Sequence, residues 1–104
     1  MAKSISPQDL REALSGTNAP TVIDVRRKVD YQPADKIDGA IRMDPEEIED
    51  WVKDLPAGAP TVVYCVRGGS VSQGVADQLK RKGIQAVFLE GGLKAWNESE
   101  PKTL

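Results

Sequence analysis

The stretch Thr61-Val62-Val63-Tyr64-Cys65-Val66-Arg67-Gly68-Gly69-Ser70-Val71 constrains this chain more than any other. Thr61 to Tyr64 is β-branched and aromatic and carries no charge, the pattern of a strand covered on both faces. Gly68 and Gly69 end that pattern and permit backbone angles that other residues resist. Beyond them Val71, Val75, Ala76 and Leu79 fall on one face of a helix. Gly83 stops that helix after Lys80, Arg81 and Lys82, cations suited to the negative end of its dipole. The only cysteine, Cys65, therefore stands at the carboxyl end of a strand, facing a helix amino terminus. The loop is read as running to Val71 and Ser72 before the helix begins, which makes a wide cradle.

Successive backbone N–H groups in such a loop can converge on one point and hold an anion. The helix dipole, with Arg67 close in sequence, favours a nucleophilic thiolate at Cys65. A cysteine that ends an apolar strand is often mere packing. The paired glycines and the helix start weigh against that here.

The same alternation runs through the rest of the chain. Ser6, Pro7 and Asp9 spell a helix start, with Leu10, Ala13 and Leu14 on its apolar face. Residues 21–26 read as a strand interrupted by Asp24. Residues 29–38 are polar, with room for one helical turn. Residues 40–43 read as a short strand. Asp44 and Glu47 predict a capping box for a helix that buries Ile48, Trp51, Val52 and Leu55. Residues 56–60 form a loop and residues 86–89 another buried strand. Glu90, Gly91 and Gly92 make a turn, a closing helix carries Trp96, and residues 99–104 make a loose tail. The order predicts one α/β domain over residues 1–104: a small, mostly parallel sheet flanked by helices on both faces. In such sheets ligands bind outside the carboxyl ends of the strands. Arg26, Arg27, Cys65, Glu90 and Gly91 all follow strand ends and are expected to share one edge.

The 104 residues suit a single domain. A net charge of −2 argues against bulk attraction to nucleic acid or an anionic membrane. No apolar run is long enough to span a bilayer, and the first residues lack a signal-peptide core. A cytoplasmic location is expected. One cysteine excludes an internal disulfide. The absence of histidine argues against a zinc site and excludes a Cys–His hydrolase. No metal or cofactor is expected.

Ile23-Asp24-Val25-Arg26, Ile37-Asp38-Gly39-Ala40, Val63-Tyr64-Cys65 with its glycine loop, and Leu89-Glu90-Gly91-Gly92 with Trp96 together resemble the four signatures of the rhodanese family, in order and spacing. The resemblance covers nearly the whole chain. It implies a sulfurtransferase whose cysteine takes sulfane sulfur from a small anionic donor and passes it, as a persulfide, to cyanide or a thiol. It assigns Cys65 as the nucleophile and the backbone of Val66, Arg67, Gly68, Gly69, Ser70 and Val71 as the substrate cradle. It gives Arg26 either to anionic substrate or to a structural role, and Asp24 to structural support. Trp51 and Trp96 are read as core, Gly91 and Gly92 as turn residues, and Arg27 as a solvated charge. Two departures stand out: Lys36 replaces a frequent histidine, and Ser70 replaces an arginine common in active members. Two other functions compete. A phosphatase or arsenate reductase would share the cradle, but the phosphatase clamp needs arginine six positions after the cysteine, and Val71 stands there. A non-catalytic or sulfur-carrying module would leave the cysteine unreactive. A protein partner is left open.

Overall fold

Two β-branched runs build the middle of the sheet. In the computed structural model, which describes residues 3–17, 19–55 and 60–99, Val22 and Ile23 of β2 (Thr21–Asp24) lie beside Val62 and Val63 of β4 (Thr61–Tyr64) in parallel register. Strand β5 (Ala86–Leu89) pairs with the other side of β4. Strand β3 (Ile41–Arg42) pairs with β2, and β1 (Lys3–Ile5) closes the opposite edge against β5. All pairs are parallel, and the strand order is β1-β5-β4-β2-β3.

Side chains alternate across this sheet, so each strand feeds two cores. On one face Ile23, Val25 and Val63 pack against Ile48 and Trp51 of α2 (Ile48–Trp51) and against Val75, Ala76 and Leu79 of α3 (Ser70–Arg81). On the other, Val22, Val62, Tyr64 and Leu89 meet Leu10 of α1 (Pro7–Leu14) and Leu93 of α4 (Gly92–Glu98). The expected layers are therefore present. No helix among the described residues is long and apolar enough to cross a membrane.

Four local expectations change. Strand β1 was not legible: Lys3 and Ser4 are exposed and only Ile5 is partly buried, so no alternation marks it. Asp44 does cap, accepting from the Glu46 N–H at 2.9 Å, but Glu47 makes no return bond, so there is no capping box. The helix after it is broken into a 3₁₀ turn at Pro45–Glu47, one α turn, and a second 3₁₀ turn at Val52–Asp54. Finally, α3 begins at Ser70 with Gly69 as its N-cap. The loop is thus shorter than expected. The apolar pattern reveals a helix only where a side chain meets the core, and Ser70 is exposed. A 3₁₀ turn at Pro33–Asp35 supplies the helical turn expected within residues 29–38. Of the 56–60 loop and the 99–104 tail, residues 56–59 and 100–104 lie outside the described residues.

Candidate active site

Asp24 and Tyr64 are the last residues of adjacent strands and lie side by side in register. Both are fully buried. The Tyr64 hydroxyl donates to Asp24 Oδ2 at 3.0 Å and accepts from the Ile37 N–H at 3.1 Å. Asp24 also accepts from the Arg26 N–H and from the Arg26 guanidinium, whose Nη2 lies 2.7 Å from Oδ2. Nη1 of Arg26 reaches Asp35 at 2.8 Å, and Nη2 also donates to the Gln32 carbonyl. Burial opposes the Arg26 cation, but its hydrogen bonds to Asp24 and Asp35 outweigh that and hold its pKa above the ordinary arginine value. Burial likewise pushes the Tyr64 phenol up, and the neighbouring Asp24 charge adds to the effect. This cluster joins three of the four sequence signatures and fixes the strand end from which Cys65 emerges.

Cys65 follows Tyr64 directly and is 6% exposed. It lies in an open cavity of about 410 Å³ that Arg26, Arg27, Val66, Arg67, Gly69, Ser70 and Val71 also border. The loop's carbonyls are tied away from it. Cys65 O accepts from the Leu93 N–H at 2.9 Å and Val66 O from the Lys94 N–H at 3.0 Å, both in the first turn of α4. Gly68 O accepts from Gln73 Nε2 at 2.9 Å. In a trans peptide the N–H points opposite to the C=O. The N–H groups of Val66 and Arg67 are thereby turned away from α4, and that of Gly69 away from the Gln73 side chain. Those of Ser70, Val71 and Ser72 are free first-turn amides of a helix whose N-cap offers no side chain. Among the described residues, no N–H from Val66 to Ser72 has a protein acceptor. A row of unpaired donors beside a cysteine is a site for a developing or resident anion.

Two glycine turns lie backbone on backbone beneath the loop. Gly68 has φ +71°, and a Cβ there would come within 2.7 Å of Gly91 N. Gly92 has φ +60°, and a Cβ there would sit 2.4 Å from Cys65 O. Gly92 is therefore more than a turn residue. It allows α4 to approach and hold the loop's carbonyls.

Most of the expected site residues gather here, with two corrections. Gly68 does not border the cavity but forms the contact with Gly91 and Gly92. Arg26 borders it, yet every guanidinium nitrogen already has an acceptor and the side chain is 2% exposed. It is not a free cation for substrate. The cations open to solvent at the mouth are Arg67 and Arg27, the latter paired with Asp30 at 3.2 Å. Sequence reasoning missed Ser72, fully buried with its Oγ 3.1 Å from Cys65 Sγ, and it missed Gln73. A polar residue on the inner face of α3, between Val71 and Val75, was the available signal for Ser72. A larger cavity of about 570 Å³ is bordered by α1, residues 34–38 and α4, away from Cys65.

A family model described as a rhodanese-like domain matches residues 6–99. The chain is 34% identical over 100 residues to a thiosulfate sulfurtransferase GlpE of Pseudomonas entomophila, covering 95% of this chain and 88% of that protein. A rhodanese-like domain protein from Staphylococcus aureus superimposes with a TM-score of 0.82 at 28% identity, over 97% of this chain and 99% of the other. A rhodanese-related protein from Thermoplasma volcanium gives a TM-score of 0.77 at 28% identity, over 95% of each chain.

Proposed function

The chain belongs to the rhodanese-like domain family, and on that premise we propose that it is a sulfurtransferase of the thiosulfate type, working through a persulfide on Cys65. The observation that carries this reading is the row of unpaired amides from Val66 to Ser72 around a lone, cavity-facing cysteine. The relationship to a thiosulfate sulfurtransferase over nearly the full chain supports it.

In the first step the Cys65 thiolate attacks the sulfane sulfur of thiosulfate. A Cys65–sulfur bond forms, the donor's S–S bond breaks, and sulfite leaves with the electron pair. The free amides of the loop hold negative charge on the outer sulfur. Arg67 and Arg27 draw the anion to the mouth. In the second step cyanide or a thiolate attacks that outer sulfur and regenerates Cys65. Asp24 and Arg26 keep the strand end in place. A phosphatase reading lacks its clamp, since Val71 stands six residues after the cysteine. A reducing, cytoplasmic setting fits a catalytic free thiol.

Intact-mass measurement after incubation with thiosulfate tests the proposal. One added sulfur per chain is expected, removed by cyanide and absent in Cys65→Ala. No uptake from thiosulfate, mercaptopyruvate or a protein persulfide would overturn it.

A further inference from the structure

Ser72 lies seven residues beyond Cys65, in the first turn of α3, with no exposed surface. A serine in a helix commonly places its hydroxyl on a carbonyl of the preceding turn. Here the only hydrogen-bond partner of Oγ among the described residues is Cys65 Sγ, whose thiol donates to it at 3.1 Å. The hydroxyl has one proton to place and one neighbour to receive it. A thiol at Cys65 would donate its own proton to Oγ and leave the serine proton without an acceptor. An anionic sulfur accepts it, and the pair is satisfied.

We propose that Ser72 is a second catalytic residue, which donates a hydrogen bond to Cys65 Sγ as that sulfur leaves as a thiolate during discharge of the persulfide. The inference rests on the persulfide reading above and assigns a role within it. In the loaded state Sγ is a neutral divalent sulfur and a weak acceptor. When cyanide attacks the outer sulfur, the carbon–sulfur bond of thiocyanate forms and the Sγ–S bond breaks. Its electron pair passes to Sγ, and no proton need move. The hydrogen bond from Ser72 therefore strengthens toward the transition state of discharge, which is the condition for acceleration. In the loading step the charge leaves Sγ, and the same hydrogen bond gives no such help. Ser72 thus separates the two half-reactions.

The test follows both half-reactions in Ser72→Ala by stopped mixing and intact mass, loading from thiosulfate and discharge to cyanide. Alanine keeps the Cβ and suits a helix interior, and circular dichroism with a thermal midpoint checks the fold. Loss of a hydrogen bond to a charged group is expected to slow discharge by about 10- to 100-fold, with loading slowed much less. Ser72→Thr, which keeps the hydroxyl, is expected to restore discharge. Discharge at the wild-type rate in Ser72→Ala, an equal slowing of both steps, or a threonine variant as slow as alanine would each overturn the role of Ser72 alone. A wild-type chain that takes up no sulfur would overturn the transferase reading and this inference with it.

Discussion

The phenol of Tyr64 is buried one residue before Cys65 and bridges Asp24 to the Ile37 amide. Because burial raises its pKa, the folded state keeps the phenol neutral where the unfolded chain ionises it. Its contribution is then complete below about pH 10, the unfolded value, and is lost as pH rises beyond it. Tyr64→Phe removes both hydrogen bonds and is expected to cost about 1–3 kcal/mol near neutrality. It also removes the alkaline loss. The gap between wild type and variant, read from urea midpoints, should therefore narrow between pH 8 and pH 11. A gap that stays constant would mean that the phenol ionises alike in both states.

At the scale of elements, the site is a joint between the loop before α3 and the start of α4. First-turn amides of α4 hold two loop carbonyls, and the contact is close enough that only glycine fits at Gly68 and Gly92. Gly92→Ala adds a Cβ 2.4 Å from Cys65 O at a positive φ. It is expected to cost about 1–3 kcal/mol in backbone strain and to abolish sulfur loading by displacing the loop. Thermal unfolding and intact mass read the two effects, and normal loading in a folded Gly92→Ala chain would contradict this. Much of this joint was legible beforehand. Apolar runs, broken in β2 only by Asp24, marked β2, β4 and β5, and the glycine loop after Tyr64 pointed to the candidate site. What stayed hidden depends on contacts between distant segments. Strand β1 exists through its pairing with β5, and its own three residues carry no alternation. Gly92 read as part of a turn because the loop backbone it touches lies 24 or more residues away in sequence. A substrate role for Arg26 stayed open because Asp35, at the end of a 3₁₀ turn, gave no sign in the sequence of reaching back to it.

Across the whole molecule, positive charge is divided by burial. Arg26 is internal and faces Asp24, whereas Arg67 and Arg27 stand in solvent at the mouth of a chain whose net charge is −2. Arg26→Ala leaves a buried carboxylate without its cation and is expected to destabilise the fold by about 3–5 kcal/mol. Arg67→Ala should leave the unfolding midpoint nearly unchanged and instead slow loading from thiosulfate more than loading from an uncharged sulfane donor. Its effect should fade as added salt screens charge beyond about 10 Å. A reversed pattern, with Arg67 governing stability and Arg26 only rate, would refute that division. Because the donors of the proposed sulfur site are main-chain amides, point substitution at most loop positions leaves them intact, while the interlocked glycines beneath cannot change one at a time. Divergence toward new sulfur donors is therefore channelled to the surface arginines and to the residues around them. A directed-evolution campaign aimed there would meet the least resistance from the fold.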